Sequence, residues 1–201
     1  MKSKRTSLIA AAAILASASF THAATISFDN GNADNNWAVG LNWSTNTVPD
    51  TGSDAVVIAL VTNGHLANVS SSVPNAATVR IGNNASGGTV NIQTGGSLTA
   101  TTATQIATAN LSTGTLNITG GTMSAALLQV AANTATATTG SVNITAGALS
   151  WTNASVGTQG TGTIDISGNT ATVSGSSLTL GSGGSLAFTL NSIGVSQISL
   201  V

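Results

Sequence analysis

The sequence predicts an all-β chain wound as a right-handed parallel β-helix, and three observations predict it. A phrase recurs four times, as "GTVNIQTGG" from Gly88, "GTLNITGG" from Gly114, "GSVNITAG" from Gly140 and "GTIDISGN" from Gly162, with its opening glycines 26, 26 and 22 residues apart. A second anchor, an aliphatic residue followed by Gly or Ala, recurs with nearly the same period at Ile81, Ile106, Val130, Val156 and Leu180. Within each phrase apolar and polar residues alternate, which is the period of a strand. Self-similarity at a fixed period of roughly 20–50 residues marks a fold built by stacking one unit on the next.

The first 23 residues stand apart from that pattern. A basic start (Lys2, Lys4, Arg5), an apolar stretch from Leu8 to Phe20 and the small-residue exit "THAA" read as a secretory signal peptide cleaved after Ala23. The apolar stretch is shorter than the ~20 residues that span a bilayer, and no later segment is long and apolar enough to be a membrane helix. The expectation is an exported chain with no transmembrane segment in its mature part, located at the cell surface, associated with the outer membrane or extracellular.

Residues 24–77 do not follow the repeat. They hold both prolines, Trp37 and Trp43 of the three tryptophans, and Asp29, Asp34, Asp50 and Asp54 of the five acids. A stack of coils leaves unpaired strand edges at its ends and needs closing against end-to-end pairing. This segment is expected to be that N-terminal cap with the first strands, "DAVVIAL" being its first full strand.

Residues 78–201 carry the repeats of about 25 residues. The first strand of a coil has Asn91 between Val90 and Ile92, Asn117 between Leu116 and Ile118, Asn143 between Val142 and Ile144, and Asp165 between Ile164 and Ile166. A second short strand is expected around Leu98, Met123 and Leu149, after glycine turns, and a third at the aliphatic anchor. Stacked coils lie about 4.8 Å apart, so equivalent residues form columns, and Asn91, Asn117 and Asn143 form an amide ladder that Asp165 ends. Glu is absent and Lys is confined to the leader, as suits positions where like charges would stack on one another. Right-handedness follows from the preference of parallel crossovers. Other all-β folds fit less well. A membrane barrel needs aromatic girdles, and this chain is 3% aromatic with no Tyr. An antiparallel sandwich requires no single period, and a calcium-binding nonapeptide roll needs an Asp in every short repeat, whereas the repeats hold Asp165 alone. The final "SQISLV" reads as an apolar strand without a polar cap. This predicts a truncated chain whose open C-terminal coil invites self-association.

Composition narrows the function classes. Beyond the leader, Arg80 is the single basic residue against five aspartates, so no basic patch for nucleic acid is expected. Cysteine is absent, so packing and backbone pairing alone must hold an exported chain together. The catalytic inventory is thin. Glycoside hydrolysis usually takes two carboxylates, and a nucleophilic triad takes a histidine. Here Asp165 is the one acid of the repeats, and His65, read as a turn residue after Asn63 and Gly64, is the one histidine of the mature chain. Neither catalytic, cofactor-binding nor metal residues are assigned. Asp29, Asp34, Asp50 and Asp54 have the ligand chemistry of a calcium site, but their spacing matches no known loop, and Asp is equally a turn residue. Trp37, Trp43 and Trp151 are the candidates for stacking on sugar rings, with core packing as the competing reading. Trp151 takes the position of Ala100 and Ala125 in the preceding coils, so its bulk is expected to project outward or press into a loop.

One resemblance adds to this reading. "NWAVGLNWSTNTVPDTGSDAVVI", then "VRIGNN", then iterated "GTLNITGG" resembles the exported repeat proteins of Gram-negative bacteria known as autotransporter-associated β-strand repeat or PEP-CTERM-type proteins. The resemblance covers essentially the whole mature chain and implies a β-helical passenger displayed on, or released from, the cell surface. The chain departs from that pattern in lacking a membrane barrel and a C-terminal Pro-Glu-Pro sorting signal. The expected function is a non-enzymatic, adhesin-like structural element whose partners are cell-surface or matrix glycans. The alternatives are a carbohydrate-binding module using the tryptophans, and an N-terminal fragment of a larger polysaccharide-active β-helix protein.

Overall fold

The structure, a computed structural model, describes residues 23–57, 66–83, 87–132, 137–189 and 198–200. The signal-peptide expectation, save Ala23, and the reading of His65 fall outside these residues. The described strands are β1 (Ala24–Ser27), β2 (Ser53–Val57), β3 (Leu66–Val69), β4 (Ala76–Ile81), β5 (Thr89–Ile92), β6 (Ser97–Ile106), β7 (Thr113–Val130), β8 (Thr139–Val156), β9 (Thr161–Leu180), β10 (Gly184–Phe188) and β11 (Ile198–Leu200). All their pairings are parallel, in the order β1-β2-β4-β6-β7-β8-β9-β10, with β3 on β5, β5 on β7 and β11 on β9. This is a β-solenoid of about 5 turns. No α-helix occurs among the described residues, and a single 3-10 turn, Gly40–Asn42, lies in the cap.

The repeated phrase stacks in register. Val69, Ile92, Ile118, Ile144, Ile166 and Phe188 form one column, and Ala67, Val90, Leu116, Val142, Ile164 and Leu186 form the next. The four isoleucines of the first column are at most 4% exposed. Alternation explains the burial: every second residue of a strand points to the same side, and the coil closes around that side. Fully burying one such side chain is worth about 1.5–3 kcal/mol, and each column repeats the gain at every turn.

Where the sequence predicts three short strands per coil, the middle coils show one long bent strand of 18 to 20 residues. Two of the three corners are bends within the strand, marked by register irregularities after Ile118, after Ile144 and, in the coil before, between Ala100 and Ala103, and Gly120 and Gly147 there take φ of +153° and +87°. The third corner follows the aliphatic anchor and is a true turn. There Gly82, Ala107, Ala131 and Gly157 take φ of +66°, +54°, +48° and +62°. The backbone N–H of each bonds to the carbonyl of the anchor one coil below: Val57, Ile81, Ile106 and Val130, at 2.8–2.9 Å. Left-handed backbone is costly for a bulky side chain, which suits the Gly or Ala that follows Ile81, Ile106, Val130 and Val156.

The stack begins before the repeat phrase does. β2 and β3 already pair in register with β4 and β5. The cap then closes their outer edges: Phe28 forms an antiparallel bridge with Trp43, and Asn36 bridges Asn68. Trp37 N donates to Asn68 O at 2.9 Å and Asn68 N to Asn35 O at 2.7 Å, which occupies the edge of β3 that another strand would otherwise pair with.

Candidate functional site

Two polar columns run up the outside of the stack. In the first, Asn91 Nδ2 donates to Asn68 Oδ1 at 2.9 Å, Asn117 Nδ2 to Asn91 Oδ1 at 2.8 Å, and Asn143 Nδ2 to Asn117 Oδ1 at 2.9 Å. The ladder expected of Asn91, Asn117 and Asn143 is therefore present, with Asp165 next in register and Ala187 after it. Asn68 is a fourth amide that sequence reasoning missed. Its signal was legible in "LANV", where it stands between two apolar residues as Asn91 does in "TVNI". Beside the amides runs a column of hydroxyls, Thr89, Thr115, Ser141, Thr163 and Ser185. Together they make an uncharged face repeating at the coil spacing, with Asp165 its one acid.

The second column is built on another face. Arg80 Nη2 pairs with Asp54 Oδ2 at 2.9 Å, Arg80 Nε donates to Gln105 Oε1 at 3.0 Å, and Gln105 Nε2 to Gln129 Oε1 at 2.9 Å. The one basic residue among the described residues is thus committed to the carboxylate of Asp54, whose side chain is only 4% exposed. The sequence signal was the spacing of Arg80, Gln105 and Gln129, which follows the coil period.

Asp29, Asp34, Asp50 and Asp54 do not gather into a cation site: among the described residues no three His, Cys, Asp or Glu side chains are placed to hold a metal ion. Asp34 is instead saturated by donors. Its Oδ1 accepts from Asn36 N at 2.9 Å and Asn42 Nδ2 at 2.5 Å, and its Oδ2 from Asn32 Nδ2 at 2.9 Å. These bonds, the Asn36 backbone N–H first and then the Asn42 and Asn32 amides, hold the carboxyl below its ordinary range. Asp29 and Asp50 accept the backbone N–H of Gly31 and Gly52 two residues on, as turn residues do.

The tryptophans offer no platform for a sugar ring, which corrects that candidate assignment. Trp37 and Trp43 are fully buried, with ring centroids 4.7 Å apart at 74°, and Trp43 meets Phe28 edge-on at 5.0 Å and 80°. Trp43 Nε1 donates to Trp37 O at 2.8 Å, which fixes the cap's end plate. Trp151 also turns inward, against the expectation that it projects outward or presses into a loop, and is 6% exposed. Its column runs Ala100, Ala125, Trp151, Gly175, and its indole lies where a methyl group on Gly175 would be. Its Nε1 donates to Ser177 O in the same neighbouring coil at 2.9 Å. A large residue fits the core because the coil above supplies none.

Comparison with family models, with curated proteins and with solved structures returned no match for this chain.

Proposed function

We propose that the chain is an exported, non-enzymatic structural element of the cell surface, an autotransporter-passenger-like or adhesin-like rod. The observation that carries this reading is the stack itself: five or so coils locked in register by hydrophobic columns and amide ladders, with the side-chain chemistry spent on holding neighbouring coils together. Such a body serves by its stiffness and by presenting the same neutral contact once per coil. A hydroxyl and an amide repeated at the coil spacing give weak single contacts, and neutral surface or matrix glycans that meet several at once are held by the number of contacts rather than the strength of any one. Localisation at the outer membrane or in the extracellular space follows from the leader.

The test is expression of the whole chain in a Gram-negative host, followed by fractionation and N-terminal sequencing of the product. The reading expects a chain that starts at Ala24, is recovered beyond the inner membrane, and binds immobilised neutral glycan polymer more tightly than short oligosaccharides of the same sugar. An uncleaved chain retained in the cytoplasm overturns export, and turnover of a polysaccharide by the purified chain overturns the non-enzymatic assignment.

A further inference from the structure

We propose that Asp165 sets the direction of the asparagine ladder, and that its carboxylate turns the amides to run opposite to the arrangement described above, with Asn143 Nδ2 donating to Asp165. In the arrangement described, every amide points its nitrogen toward the cap and its oxygen toward the C-terminal coils. The oxygen of Asn143 therefore faces the residue in register above it, Asp165. An ionised carboxylate has acceptors and no donor, so oxygen meets oxygen at that step. The structure carries the trace of this mismatch: Asp165 Oδ1 is buried and has no hydrogen-bond partner among the described residues.

The other end of the ladder has a donor to spare. Asn68 Nδ2, pointing toward the cap, donates no bond among the described residues, and its pairing partner there is Asn36. Turning each of the four amides by half a rotation about its terminal torsion exchanges Oδ1 and Nδ2 and leaves the backbone where it is. That torsion is broad and roughly two-fold, so both settings are open to the side chain. After the turn Asn68 donates to Asn91, Asn91 to Asn117, Asn117 to Asn143 and Asn143 to Asp165. The ladder then has four bonds instead of three, and the added one is charge-assisted, the stronger kind. Because each amide can donate upward only when the next one accepts, the four turn together. The ladder is a two-state element whose direction is chosen by the charge at its end.

The experiment is measurement of scalar couplings across side-chain hydrogen bonds in the full-length chain labelled with 15N and 13C, at neutral pH. The expected result is coupling of Asn143 Nδ2 to Asp165 Cγ and of Asn117 Nδ2 to Asn143 Cγ. Coupling of Asn143 Nδ2 to Asn117 Cγ in the unmodified chain overturns the proposal. The same spectra of Asp165→Leu test who does the choosing. Removal of the carboxylate leaves three bonds in either direction and is expected to release the single direction, so that coupling of Asn143 Nδ2 to Asn117 Cγ appears, and a variant that keeps only the coupling of Asn117 Nδ2 to Asn143 Cγ overturns the role of Asp165. The unmodified chain decides the direction by itself should the variant fail to fold.

Discussion

Thr104 shows how strictly one position is governed by the coils on either side. It sits in the column Val79, Thr104, Leu128, Ala154, fully buried, and its Oγ1 has no partner among the described residues. A hydroxyl stripped of water without a bond costs about 1–3 kcal/mol, while the shape of the side chain is that of valine. Thr104→Val is therefore expected to raise the free energy of unfolding by about 1–2 kcal/mol, read as a higher urea midpoint with an unchanged slope. A lowered midpoint would mean that the hydroxyl has a partner the geometry does not show. The asparagines were legible in the sequence because their period is that of the coil, and Asn68 escaped only because its phrase is shorter. Trp151 was not legible in the same way. What decides its direction is Gly175, a full coil further on, and no local pattern reports the size of a neighbour that distant.

At the scale of elements, the cap and the corners carry the predictions. Asp34 gathers the Asn36 backbone N–H and two amides, and its carboxyl is held below its ordinary range. A carboxyl depressed in the folded state contributes stability above its unfolded value and loses it as the pH falls through the folded one. Acidification below the usual carboxylate range is thus expected to loosen the cap before the coils. The check is tryptophan fluorescence, which should change through Trp37 and Trp43 ahead of the far-ultraviolet β signal, and Asp34→Asn should abolish that early step. The second prediction concerns the pair in the core. Gly175→Ala places a methyl group in the Trp151 indole and is expected to cost about 1–3 kcal/mol, the range for overpacking. Trp151→Ala empties the site at a cost of about 3–5 kcal/mol. The double variant is expected to be less destabilised than the sum, because the added methyl then enters a cavity; strict additivity would show that the two residues do not share that space. The corner turn was foreshadowed by the Gly or Ala after each aliphatic anchor. The fusion of three strands into one was not, since Gly120, Gly121 and Gly147 read as turn residues although the strand runs on through them.

Across the whole molecule, each coil touches the coils above and below, so stability is close to a sum of coil and interface contributions. Burial is uneven along that sum. Leu149, Val142, Ile144 and Val156 are nearly fully buried in β8, whereas their counterparts toward the C-terminal coils, Val173, Leu186 and Phe188, are partly exposed and Leu180 is 46% exposed. Native-state hydrogen exchange is expected to be slowest in the central coils, β7 and β8, and to quicken stepwise toward β10, with the opening free energy falling coil by coil. Uniform protection would show that the stack opens only as one unit. The parallel all-β architecture was legible because a repeat forces its columns. The closing of the N-terminal edge by paired indoles was legible as a need, though not as a geometry, since the sequence left the same rings open to sugar binding.

The fit of Trp151 over the empty position of Gly175 reaches beyond the two residues. Coils of one period look interchangeable, as if whole windings could be added or removed at will. Here one winding carries an overhang and the next carries the recess that receives it. A deletion or duplication whose breakpoint falls between them would set the indole against a side chain, or leave the recess unfilled. The two windings therefore fit as one piece, and the units in which this chain can be lengthened are set by matched shapes as much as by the period of its letters.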